Sequence, residues 1–362
     1  MTTIAQPTRE VTGGVDTHKD THTAAVVDSA GRLLGTEQFE ASRAGYRRLL
    51  AWLLSFGTVA LVGVEGTGAY GAGLAVHLRE QDVPVVEIDR PDRKTRRWQG
   101  KSDPVDAEAA ARAALAQRRT STPKQRDGRV EALRSLRVAR RSAVNQRADV
   151  QRQTKTLIIT APEELRAVLR DLSDKQLVAT CAAGRPDTTR AGDPAMAVRL
   201  TLRTLARRHQ RLAEEIADLD ALIGPLVAEV APALLALHGV GPEAAGQLLI
   251  SAGENPDRLR SEAAFAMLCG TAPIPASSGR THRHRLNRGG DRAANSALYR
   301  IVLCRLRWDA RTRSYRERRT AEGLSKKEII RCLKRYVARE IYRVITTSHP
   351  HLTDPSDLTT AT

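Results

Sequence analysis

Hydrophobic positions in the first third of the chain alternate between a strand-like and a helix-like period. Val11–Val15 leads into Thr21–Asp28, and after the turn Ser29-Ala30-Gly31 the segment Gly31–Gln38 follows, which predicts an antiparallel meander. Ala41–Phe56 sets Leu49, Leu50, Leu53 and Leu54 at helical spacing, and Val59–Val64 is a short β-branched run that reads as a buried strand. Gly71–Gln81 predicts a helix, Val83–Ile88 a strand and Asp103–Gln117 an Ala-rich helix. Meander, helix, strand, helix, strand, helix is an α/β layer pattern.

The period then changes. Leu136, Ala143, Val150 and Leu157 recur every seven residues. After a break at Ala183-Gly184-Arg185-Pro186, the series Leu202, Leu205, His209, Leu212, Ile216, Leu219, Ile223, Leu226 advances in steps of 3 and 4, the a/d seam of a coiled coil. Two such helices joined by a loop predict an antiparallel arm or a dimerisation device. His209 reads as a polar residue that sets register in that seam. From Pro232 on, the chain is helical and basic, broken by a Gly/Pro/Ser-rich patch at Gly270–Gly279. The expected domains are residues 10–125, an arm over 126–230, a mainly α C-terminal domain over 231–347, and a polar, disordered tail over 348–362.

Composition sharpens this picture at three points. Hydrophobic residues make up 41% of the 362 but aromatics only 3%, so the cores must be built from Leu, Val, Ile and Ala. The net charge is +17, and between Arg280 and Arg343 there are 20 Lys and Arg against 6 Asp and Glu. That excess is too one-sided for salt-bridge lacing; guanidinium forks suit phosphate, so the stretch reads as a surface for DNA or RNA backbone. No apolar run is long enough to span a bilayer and the N-terminus lacks a signal-peptide core, which predicts a cytoplasmic protein with no membrane partner. The four cysteines are scattered, against a zinc site or a disulfide framework.

The candidate chemistry lies in acids. Asp16 ends one apolar strand and Glu65 another, while Asp103 and Asp106 share one face of a helix start in which Pro104 suits the first turn. A carboxylate at the end of a buried strand is costly to desolvate unless it is paired or metal-bound. Four convergent hard oxygens select Mg2+ or Mn2+, and a pair of such ions clamps the attacking and leaving oxygens of phosphoryl transfer. Singly, Asp16 also reads as a turn residue and Asp103 as an N-cap; Asp20 and Glu108 are nearby acids able to assist. Leu237–Leu249 looks like a helix-hairpin-helix, in which Gly239 and Gly241 permit a tight turn and the next helix start offers N–H groups to a phosphate; a hairpin that only packs is the other reading.

Val15-Asp16-Thr17-His18-Lys19, Glu65-Gly66-Thr67-Gly68 and Lys101-Ser102-Asp103-Pro104-Val105-Asp106-Ala107 together resemble the DEDD transposases of bacterial insertion sequences, the insertion-sequence-110 group. The resemblance runs from Val11 to about Ile345. It implies an RNase H-like, RuvC-like α/β N-terminal domain whose metal ligands are Asp16, Glu65, Asp103 and Asp106, followed by a helical coiled-coil arm and a mainly α C-terminal domain with the helix-hairpin-helix. In that domain the family's nucleophilic serine precedes a glycine, which matches Ser278, with Ser277 as second choice. Lys101, Gly239, Gly241, Arg280, Arg283, Arg285 and Arg288 are the expected nucleic-acid contacts. The family further implies donor and target DNA, a structured noncoding guide RNA, a homo-oligomer (dimer or tetramer) and a nucleoid-associated recombinase. A metal-dependent junction-resolving nuclease, with Ser278 an ordinary loop residue, and a non-catalytic nucleic-acid-binding protein are the competing readings.

Overall fold

The alternating signals of the N-terminal unit fold into a single six-stranded sheet of order β3-β2-β1-β4-β5-β6. The computed structural model describes residues 9–88, 102–118, 120–255, 258–280 and 284–348. Contacts divide it into one unit up to Gln125 and another from Arg126. In the first, β1 (Glu10–Thr17), β2 (Thr21–Asp28) and β3 (Leu33–Glu40) form the expected antiparallel meander. α1 (Arg43–Leu54), β4 (Thr58–Glu65), α2 (Ala72–Glu80), β5 (Val85–Ile88), α3 (Asp103–Leu115) and a short β6 (Thr120–Ser121) complete it. β4 runs parallel to β1 and to β5, so the sheet is mixed, and with its flanking helices it fits an RNase H-like domain.

The two faces of this sheet are packed by different rules. Val11, Val15, Val62 and Val64 point to one side, where Leu49 and Leu53 of α1 and Leu74 and Leu78 of α2 cover them. The intervening residues Gly14 and Gly63 point to the other side, where α3 lies. A Cβ on Gly14 would fall inside the Ala107 carbonyl and the Ala111 amide; one on Gly63 would sit 2.8 Å from the Ala114 methyl and 2.9 Å from the Ala110 carbonyl oxygen. Glycine on the strands and alanine on the helix therefore set α3 backbone directly on the sheet.

The second unit is helical. α4 (Arg129–Ile159) and α7 (Pro194–Val230) lie antiparallel: Val130 and Leu133 meet Ile223 and Val227, and Ala143 and Val150 meet Leu212 and Ile216. The loop expected between them contains two helices, α5 (Glu163–Leu169) and α6 (Asp174–Ala183), whose Leu165, Leu169 and Leu177 close over Ile158 and Leu202. Seven and ten residues are too short to show a period. α8 (Pro232–Leu235), α9 (Pro242–Ala252) and α10 (Glu262–Leu268) follow, then a two-stranded hairpin of β7 (Ile274–Pro275) and β8 (His284–Arg285). α11 (Arg292–Trp308), α12 (Ala310–Ala321) and α13 (Lys326–Ser348) end the described chain. Leu248, Phe265, Leu298, Ile301 and Ile341 centre the core. The predicted tail from 349 lies outside the described residues.

Candidate active site

Sheet register and helix packing decide where the acids go. The parallel pairing of Gly14 with Gly63 and of Val15 with Val64 makes Asp16 and Glu65 the next residues along adjacent strand ends. Side chains alternate along a strand, so both follow Gly14 and Gly63 onto the α3 face. The Thr17 hydroxyl donates to the Glu65 carbonyl at 2.8 Å and ties the two ends together. α3 begins after Ser102 with Asp103 and Asp106 in its first turn, where the helix dipole favours negative charge.

One ligand atom each from Asp16, His18 and Asp103 lies within 4.8 Å of the others. Asp16 and Asp106 are buried, at 7% and 4% exposure. The structure thus gathers Asp16 and Asp103 and adds His18; Glu65 and Asp106 stand on the same strand ends and helix start, outside that tightest group. His18 Nδ1 is 3.7 Å from Asp16 Oδ2 and has no hydrogen-bond partner among the described residues, although the atom is buried. Carboxylate oxygens drawn together at the end of a sheet, with an unspent imidazole nitrogen beside them, fit a divalent cation. Glu108 points its charge at Arg112, 2.6 Å away on α3.

Ser278 sits differently. β7 and β8 pair Ile274 with Arg285 and Pro275 with His284, so Ser277, Ser278, Gly279 and Arg280 lie in the exposed turn between them. Its base is well anchored. Asn295 Nδ2 donates to the Cys269 and Gly270 carbonyls at 2.8 and 3.1 Å, Lys334 Nζ donates to Asn295 Oδ1 at 2.7 Å, and the Ser251 hydroxyl donates to Asp291 Oδ2 at 2.5 Å. Burial, reinforced by the Asp291 charge, pushes the Cys269 thiol up to about 12, so it stays protonated and inert. Arg285 and Arg288 are exposed beside the hairpin, while Lys101 and Arg283 lie outside the described residues. In the segment read as a helix-hairpin-helix, Gly239 packs toward Cys304 and Arg305 of α11, whose Arg305 Nε donates to the His238 carbonyl at 2.8 Å. Gly241 is exposed at the start of α9.

Two family models match the chain. One describes a DEDD transposase of the IS110 type and covers residues 13–161; the other, described as the IS116/IS110/IS902 transposase family, covers residues 231–317. The chain belongs to the IS110 family of transposases. No curated protein matches it. The first match contains all four acids and the second contains Gly239, Ser278 and the start of α11 and α12. The transposase is therefore an enzyme of DNA strand transfer, DNA is its substrate, and it depends on a divalent metal. No helix among its described residues is long and apolar enough to cross a membrane.

Two residues of the transposase escaped the sequence reading. His18 had only its proximity as a signal: it stands two positions beyond Asp16, just past the end of β1 at Thr17. Arg137 had none. It follows the heptad residue Leu136 and reads as solvent-facing, yet it is buried and donates to both Glu243 carboxylate oxygens, at 2.7 and 3.0 Å, and to Gln247 at 3.1 Å.

Proposed function

We propose that this transposase cuts and rejoins the DNA of an insertion element through a serine-linked intermediate. Asp16, Glu65, Asp103 and Asp106, joined by His18, hold Mg2+ or Mn2+. When bound, the ion draws charge from the scissile phosphate and from its attacking and leaving oxygens. The chain supplies the rest. The Ser278 hydroxyl attacks phosphorus; the Oγ–P bond forms, the bond to the 3′-oxygen breaks, and the hydroxyl proton is lost as the departing oxygen gains one. A 3′-hydroxyl from the other strand then attacks the phosphoserine and frees the serine. This route keeps the phosphodiester energy that water as nucleophile would dissipate. Arg280, Arg285 and Arg288 neutralise the phosphates on either side, and Lys101, Arg283, Gly239 and Gly241 add backbone contacts.

Sequence choice is delegated to a structured guide RNA that pairs with donor and target DNA, and the protein works at the nucleoid in the cytoplasm. The antiparallel α4–α7 pair is the coiled-coil arm through which copies assemble as a dimer or tetramer. Residues 10–125 carry the metal, 126–230 the assembly and 231–347 the serine. The observation that carries the reading is the convergence of Asp16, which is buried at the end of β1, with His18 and with Asp103 at the start of α3, in a chain of this family. Trapping protein on nicked DNA tests it. The wild type yields a covalent adduct and Ser278→Ala does not; an undiminished adduct in Ser278→Ala rejects the serine, and metal-dependent cleavage with no adduct in the wild type favours the junction-resolving nuclease.

A further inference from the structure

In a chain whose aromatics are only 3% of residues, the last three helices set two of them well out on the surface: Tyr336 is 51% exposed and Trp308 63%. Tyr336 belongs to a cleft of about 1310 Å³ between α12 and α13, floored by Val302, Leu333 and Val337. That is above the range of about 300–1,000 Å³ usual for small-ligand pockets. Five arginines line it. Its two acids are already engaged: Asp309 accepts from the Thr312 amide at 2.9 Å and Glu340 from Arg305 at 2.6 Å. Arg311 and Arg343 have no carboxylate partner among the described residues. Arg318 lies over the Tyr315 ring at 5.4 Å, and Tyr315 meets Tyr336 edge-on with centroids 5.6 Å apart.

We propose that this cleft binds an unpaired stretch of polynucleotide, with a base stacked on Tyr336 and phosphates on Arg311 and Arg343. A positive groove that tracks a backbone, interleaved with accessible aromatic rings, is how sequence-tolerant single-strand sites are built. The rings select against duplex, whose bases have no free face to offer. The surplus of unpaired guanidinium charge selects against an apolar protein helix. Neither the four carboxylates nor Ser278 lines the cleft. It rests on the nucleic-acid reading of this transposase and extends it to a strand that is held rather than cut.

The test measures binding of the full-length protein to fluorescent oligouridine and oligothymidine of about 10 nucleotides and to a blunt duplex of equal length. Tyr336→Ala is expected to weaken single-strand binding about tenfold, Tyr336→Phe to preserve it, and duplex binding to stay unchanged in both. Arg311→Ala with Arg343→Ala is expected to flatten the salt dependence by about 0.7 per lost contact. A loss confined to RNA or to DNA identifies the strand. Unchanged single-strand affinity in Tyr336→Ala, no single-strand binding by the wild type, or an equal loss on duplex overturns the proposal. Asp16→Asn separates it from the catalytic reading, since that variant keeps the single-strand affinity while losing cleavage.

Discussion

The two halves of the proposed chemistry are held in opposite ways. The acids stand on strand ends and a helix start, locked by the direct seating of α3 backbone on Gly14 and Gly63, with Asp16 and Asp106 buried. Ser278 stands in an exposed hairpin turn whose base is held by Asn295, Lys334 and Asp291. A metal site needs several ligands fixed together at once, so it belongs on rigid elements. A nucleophile that must meet a large polymer and then exchange strands belongs on a loop that a rigid frame presents.

The contrast breaks most severely if a ligand is removed. Asp16→Asn or Asp103→Asn is expected to lower strand cleavage by about 10²–10³-fold while DNA binding persists; gel assays of cleavage and binding on the same preparations check both. Gly14→Ala sharpens the point because it touches no acid. The added methyl meets α3 backbone, so it should cost about 1–3 kcal/mol of stability and weaken metal binding by moving the first turn of α3 with Asp103 and Asp106. Calorimetric metal titration beside thermal unfolding detects both changes; full metal affinity in Gly14→Ala would refute the packing account.

Smaller effects separate the units. Arg137→Ala leaves Glu243 without its buried partner, with Arg140 at 3.2 Å and Arg300 at 3.6 Å as partial substitutes. The loss should be about 3 kcal/mol, the low end for a broken buried pair, measured by urea unfolding, with metal affinity of the sheet unit unchanged. The smallest effect is at Asp28. The Arg32 amide first, then the Arg32 and Arg9 side chains, hold its carboxyl down at about 2 from an ordinary 3.8. A depressed carboxylate stabilises the fold above its unfolded value, and that contribution disappears as pH falls from about 4 toward 2. Asp28→Asn should flatten the acid limb of stability in that window, and an unchanged limb would assign the drop to other groups.

Much of the sheet unit was legible because one period dominates each element. Val11–Val15, Thr21–Asp28 and Val59–Val64 alternate or run apolar as strands do, and α3 advertised itself by alanine. Gly14 and Gly63 also foretold a close neighbour, once alternation is followed from Asp16 and Glu65 back along their strands. The convergence of Asp16 with Asp103 was foreseeable from strand-end and helix-start placement; the entry of His18 depended on a turn after Thr17 that returns its ring to the same side. The helical unit was legible in its long seams but not in α5, α6 or the β7–β8 hairpin, which are too short for a period. The burial of Arg137 is a tertiary event: only the arrival of Glu243, more than a hundred positions away, makes it possible. The Tyr336 cleft is likewise formed by helices folding back on one another, and in sequence its arginines read only as a general basic surface.

The central claim is that the acids at the end of the sheet hold a divalent ion. Titrating the full chain with Mn2+ while recording the electron paramagnetic resonance of free and bound ion tests it most directly. The account predicts saturable binding in the wild type, weakening by at least about tenfold in Asp16→Asn and Asp103→Asn, and a nitrogen hyperfine coupling on the bound ion that vanishes in His18→Ala. Binding of wild-type strength in both Asn variants would contradict it.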